Sequence, residues 1–209
     1  RVVAFYSLIR FIIIALFYVV GLFKLTRTIR RVKQGVFNGK TADQVAAYRS
    51  VRHVVLVANY NEPIEIIERT LRSLAAQPNA SQQLIVALAM EEREAGCRAK
   101  AAQLIEQFEG SFAHLIATYH PDDLPDEIVG KGPNLTWAAR QVKAQLIDPL
   151  GLPVENMTVS SSDVDSILYP VYFDELSMRF VEDAQRHQTI WQPPQLLDNG
   201  IWNTAASIR

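Results

Sequence analysis

The sequence predicts an α/β domain on a mostly parallel, Rossmann-like sheet with flanking helices, preceded by one transmembrane helix. Three observations carry that expectation. From His53 onward, short valine- and leucine-rich runs alternate with segments of helical periodicity, the order that builds βαβ units. Each apolar run ends in a polar turn, and ligands of open α/β sheets bind where the strands end. Ahead of them, Val2–Leu25 (VVAFYSLIRFIIIALFYVVGLFKL) is interrupted only by Arg10 and Lys24.

That first run is long enough for a spanning helix, which needs about 20 residues at about 1.5 Å each. Arg10 is the objection, because a charge near mid-membrane costs a few kcal/mol. It must snorkel, face another helix, or mark the start of the apolar core at Phe11. A cleaved signal peptide fits less well, since no small-residue cleavage site follows. A buried soluble helix is the alternative. The expected division is therefore a transmembrane helix at 1–25, a basic juxtamembrane linker at 26–52, and a ligand-binding domain at 53–209.

Charge supports this order. The 209 residues hold 21 basic and 22 acidic side chains. Seven of the basic ones (Arg1, Arg10, Lys24, Arg27, Arg30, Arg31 and Lys33) precede residue 34, with no acid among them. The rest carries 14 basic against 22 acidic residues, a net −8. A basic collar beside a spanning segment implies that the following domain is cytoplasmic, under an inner or plasma membrane, and it suits anionic lipid headgroups. An acidic body excludes nucleic acid as the expected partner. The single cysteine, Cys97, excludes an internal disulfide and a cysteine metal cluster.

The elements follow in order. Gln34–Lys40 is a Gly-punctuated linker, and a polar helix leads to Arg52. His53–Asn59 (HVVLVAN) reads as a strand buried on both faces. After Pro63, Ile64, Ile67, Leu71 and Leu74 mark a helix up to Gln77, with Pro63 in its first turn. Leu84–Met90 is the second strand, and Arg93–Phe108 a helix with Ala101, Leu104, Ile105 and Phe108 on one face. Phe112–Tyr119, Asn134–Leu146, Met157–Ser161 and Pro170–Arg186 continue the alternation, and Thr189–Gln192 is one further strand candidate.

The strand ends hold the candidate chemistry. In "NYNEP" (Asn59–Pro63), Tyr60 offers a face for a base and Glu62 an acceptor, although any polar strand-to-helix turn reads similarly. In "MEERE", Glu91 or Glu92 could accept from a nucleobase imide or a ribose hydroxyl. Its alternative is an acidic first helical turn. Lys131 lies between Gly130 and Gly132, leading into a helix near Asn134, and suits a phosphate or diphosphate. The spacing is not that of a P-loop. Asp122, Asp123 and Asp126 are expected only to solubilise this loop.

Asp163-Val164-Asp165 follows the fourth strand. Two carboxylates in a D-x-D suit Mg²⁺ or Mn²⁺, which leave coordination positions for diphosphate oxygens. His53, His114, His120 and His187 lack metal-ligand spacing and read as structural or surface residues. Trp137, Trp191 and Trp202 read as packing residues, with Trp191-Gln192 also able to line a groove.

Taken in this order, "VVLVANYNEP", "RTLRSLAAQ", "LIVALAMEE", "GKGPNLTWAA" and "VSSSDVDSILYPVYFDEL" resemble the family 2 (GT-A fold) glycosyltransferases. The similarity includes the membrane-attached relatives of cellulose and hyaluronan synthases, and it covers residues from about 53 to 176. The resemblance implies a GT-A-like domain that holds a nucleotide-sugar, most simply a UDP-sugar. It implies nucleotide contacts from Tyr60, Glu62, Glu91 (or Glu92), Lys131 and Asn134, and a metal on Asp163 and Asp165. The acceptor would be a glycan or a lipid-linked sugar.

Three departures stand out. Ala58-Asn59 replaces the usual proline before the Y-N-E turn, and Met90-Glu91-Glu92-Arg93 replaces an acidic pair with Gly-Ser. The later acidic motif that supplies the base and the Q-x-x-R-W of processive synthases are absent. Glu182-Asp183 follows the D-x-D too closely, inside an expected helix, to be that base. The chain is therefore expected to be an N-terminal fragment with its base beyond Arg209. A non-catalytic nucleotide-sugar-binding or regulatory module is the alternative. A phosphotransferase would carry its D-x-D after the first strand, and here it follows the fourth.

Overall fold

The computed structural model describes residues 2–125, 127–128 and 130–194. Asp126, Trp202 and the part of the expected domain after residue 194 lie outside the described residues. Two compact units are present, one containing α1 (Val2–Lys33) and the other comprising Val36–Arg186.

Helix α1 is unbroken for 32 residues, about 48 Å. Every described side chain from Val3 to Lys24 is exposed, including Phe5, Phe11, Phe17 and Phe23. Its most apolar window has a mean hydropathy of 2.3, so it is long and apolar enough to cross a membrane. The Arg10 guanidinium lies 5.7 Å from the Tyr6 ring centre, one turn earlier, which gives that charge a local partner. The basic residues expected in a linker from residue 26 instead continue the helix to Lys33, with Arg30, Arg31 and Lys33 in the last turn. Cations there complement the helix dipole.

In the second unit, α2 (Ala42–Ser50) opens with a capping box. Gln44 N–H donates to Thr41 Oγ1 at 3.3 Å and Thr41 N–H donates to Gln44 Oε1 at 2.9 Å. Four strands follow: β1 (Arg52–Asn59), β2 (Leu84–Glu91), β3 (His114–His120) and β4 (Met157–Asp163). All pair in parallel, in the order β3-β2-β1-β4. The helices between them are α3 (Ile64–Ala75), the short α4 (Ala80–Gln83), α5 (Cys97–Gln107) and α6 (Lys131–Val142). A π-helical stretch, Lys143–Ile147, prolongs α6, and α7 (Tyr172–Glu182) ends the unit's regular structure.

The apolar runs are continuous because both sheet faces are covered. Val54, Leu56, Ile85, Ala87 and Ala89 pack with Ala138, Val142 and Ile147 on the α6 side. The alternate residues Val55, Val57, Val86, Leu88 and Met90 are also buried. Each such side chain contributes about 1.5–3 kcal/mol when taken out of water.

Several boundaries differ from the sequence reading. Helix α5 starts at Cys97 instead of Arg93, because Glu91–Gly96 turns and Gly96 takes a left-handed φ of 79°. Helix α7 starts at Tyr172, after Val171 at φ 66°, a costly value for a β-branched residue. Helix α6 begins at Lys131 and β4 reaches Asp163. Thr189–Gln192 forms no strand. Pro193-Pro194 follows directly, and two consecutive prolines remove the N–H donors that would extend a ladder.

His53 anchors β1 to the far side of the sheet. Its ring is fully buried, with Nδ1 2.7 Å from Thr158 Oγ1 and Nε2 2.8 Å from Ser177 Oγ. Burial, with a smaller contribution from the Arg52 charge, pushes its pKa down to about 3. The unfolded chain takes a proton near pH 6.5, and the folded one does not until about pH 3. Stability therefore falls as pH drops through that window, by up to about 1.4 kcal/mol per pH unit. Chemical denaturation at pH 7.5 and 5.0 should show this loss; an unchanged unfolding free energy would contradict it.

Candidate functional site

Because all four strands are parallel, Asn59, Glu91, His120 and Asp163 end on one edge of the sheet. From β1 the chain steps outward to β2 and β3, then returns to place β4 on the other side of β1. The order reverses at β1 and β4, and such a switch point opens a crevice at the carboxyl ends. Ala58 pairs with Asp163 across it. Glu91 is two strands from Asp163, about 10 Å sideways.

The turn after β1 is organised by a residue that the sequence did not single out. Glu94 is buried, and its Oε2 accepts from Asn59 Nδ2 and from Asn61 N–H, each at 3.0 Å. Its other oxygen pairs with Lys100, whose ammonium also donates to the Glu62 carbonyl at 2.9 Å. Asn61 sits at a φ of 62°, a left-handed value that asparagine tolerates better than most. Glu62 turns back on the same loop, where its carboxylate accepts from Tyr60 N–H at 2.5 Å. That contact helps shape the turn.

Tyr60 is exposed at this edge, but one face is covered. The Arg93 guanidinium lies 3.7 Å from its ring centre and donates through Nε to Glu91 Oε2 at 3.1 Å. Glu91 is only 3% exposed. Its Oε2 lies 3.8 Å from His120 Nδ1, and His120 Nε2 lies 2.8 Å from Glu127 Oε1. Trp137 meets the His120 ring edge-on at 6.0 Å. The ends of β2 and β3 thus hold a Tyr60–Arg93–Glu91–His120–Glu127 chain of alternating π, cationic and acidic groups. Glu92, by contrast, points outward to Arg98. Arg93 escaped the sequence reading because it was assigned to a helix, and a turn alone brings it back over Tyr60.

The predicted residues on α6 divide. Asn134 is buried and its Nδ2 donates to the Ala89 carbonyl at 2.8 Å, so it fastens α6 to β2. Lys131, at the first position of α6, reaches across to Asp163 and forms an ion pair. Gly130 and Gly132 flank it, and a Cβ on either would meet nothing within 4 Å. Gly130 has an extended φ of 167°, so neither packing nor conformation requires a glycine there.

Asp163 and Asp165 are both exposed, on either side of buried Val164. A turn bonds Ser166 N–H to the Asp163 carbonyl at 3.0 Å, while Thr70 Oγ1 donates to the Val164 carbonyl at 2.5 Å. Both carboxylates are thereby presented at the strand end. Among the described residues, no three His, Cys, Asp or Glu side chains gather to hold a metal. The donor set fits a hard cation that takes two carboxylates and completes its shell with phosphate and water, as Mg²⁺ does. The cation already seated on Asp163, from Lys131, shows that positive charge is accommodated there.

Glu182 is the last residue of α7 and accepts from Tyr48 Oη at 2.7 Å and from Lys40. It sits beside the residues that lead into β1, away from the edge where the strands end. No family model matches the chain, and no curated protein or solved structure does so either.

Proposed function

We propose that this chain is the anchored, donor-binding part of a membrane glycosyltransferase with a GT-A-like domain. One observation carries the reading: polar residues from four parallel strand ends meet on one edge, with Asp163 and Asp165 beside the switch point. Tyr60 stacks a nucleobase, and Glu91 accepts from the base or its ribose. Lys131 draws the diphosphate toward the first turn of α6. Asp163 and Asp165 hold Mg²⁺ or Mn²⁺, which when bound neutralises charge on the departing nucleoside diphosphate. The donor is a nucleotide-sugar, most simply a UDP-sugar, and the acceptor a glycan or lipid-linked hydroxyl. The apolar α1 and its basic last turns support an inner- or plasma-membrane location with the domain on the cytoplasmic side. No described residue is assigned the acceptor's base.

A non-catalytic nucleotide-sugar-binding or regulatory module is the second reading. Both readings require metal-dependent nucleotide binding. Calorimetric titration of the full chain in nanodiscs should show UDP binding with Mn²⁺ and little with EDTA. Equal binding in the two conditions, or none, sinks the proposal. Release of UDP from a UDP-sugar would then separate the enzyme from the binding module.

A further inference from the structure

The most informative contact at this edge is the Lys131–Asp163 ion pair, and its reading rests on the assignment of Asp163 and Asp165 as metal ligands. We infer that Lys131 and a divalent cation are alternative partners of Asp163, and that Lys131, once displaced, becomes a phosphate contact. The lysine is thus a switch between a carboxylate and a diphosphate.

The position of the pair and elementary electrostatics support this. The two side chains are 52% and 58% exposed, so water competes for both and the pair is weak enough to exchange. Lys131 stands at the first position of α6, where no side chain caps the helix. Its flexible four-carbon stem lets one ammonium serve two nearby positions without moving the backbone. Gly130 and Gly132 flank it without side chains of their own. Finally, an ammonium and a divalent ion on the same carboxylate repel one another, whereas a diphosphate attracts both. Metal and nucleotide together therefore favour the displaced lysine, while neither alone does so fully.

The inference predicts effects of opposite sign from one substitution. Mn²⁺ binding to the full chain in nanodiscs, read by electron paramagnetic resonance without nucleotide, should tighten about two- to fivefold in Lys131→Met, because a weak competing cation is gone. UDP binding at saturating Mn²⁺ should weaken in the same variant by about tenfold or more, the loss of a charged hydrogen bond. Lys131→Arg should restore part of the UDP affinity. Mn²⁺ affinity that is unchanged or weaker in Lys131→Met, while Asp163→Ala abolishes it, overturns this inference and leaves the metal assignment standing. Absence of Mn²⁺ binding to the unaltered chain overturns both.

Discussion

Asp163→Ala should reduce Mn²⁺-dependent UDP affinity by about 100-fold or more and leave the fold intact. Even groups that only support metal ligands are worth about 10–100-fold in affinity, and a direct ligand is worth at least as much. The structural cost should be small. Asp163 is the last residue of β4, its side chain is 58% exposed, and it pairs with Lys131 at the surface. Exposed pairs of this kind contribute about 0–1 kcal/mol. Asp163→Asn should behave like the alanine variant, because it keeps the shape and removes the charge that the cation requires. Asp122→Ala, in the exposed loop after β3, should change neither quantity. Calorimetry at fixed Mn²⁺, paired with thermal unfolding, separates binding from folding. UDP affinity retained in Asp163→Ala would remove the metal from the site.

The parallel sheet was legible because its central strands are buried on both faces. Val54–Val57 and Leu84–Met90 are apolar and buried at every position, and that leaves a continuous run to read. Helix α3 was legible from Ile67, Leu71 and Leu74, which the structure buries. The edge strand was legible only in outline. In β4, Thr158 and Ser162 point inward while Val159 is 64% exposed, the reverse of what hydrophobicity suggests. Thr158 is inside because buried His53 needs its hydroxyl, and such a pairing leaves no periodic mark.

The candidate site was legible where its residues lie directly at strand ends, as Tyr60, Glu91 and Asp163 do. It was not legible where a turn folds back. Arg93 and Glu94 read as the start of a helix whose apolar face (Ala101, Leu104) takes hold only from Cys97. Their actual places, over Tyr60 and beneath Asn61, depend on the reversal at Gly96 and on partners about 33 residues earlier. Sequence spacing carries no record of such contacts.

Glu94 consequently yields the largest stability prediction. Glu94→Ala should destabilise the domain by about 3–5 kcal/mol, the range for removing one member of a buried ion pair. The pair is well shielded, with Glu94 and Lys100 side chains 5% and 16% exposed. Truncation leaves the Lys100 ammonium without that carboxylate and the Asn59 and Asn61 donors without their acceptor. Against a typical total of about 5–15 kcal/mol, that loss approaches global unfolding. Glu94→Gln isolates the charge, since its amide oxygen can still accept from Asn59 or Asn61 and only the ion pair is lost. Its cost should fall between the unaltered chain and the alanine variant, on the order of 1–3 kcal/mol. Urea denaturation of the three proteins tests the order. Because the same carboxylate sets the path from Asn59 to Glu62, the glutamine variant should also bind UDP less tightly while its Mn²⁺ affinity stays unchanged. If Glu94→Ala costs under about 1 kcal/mol, Glu94 behaves as an exposed surface charge and the turn that presents Tyr60 is held by something else.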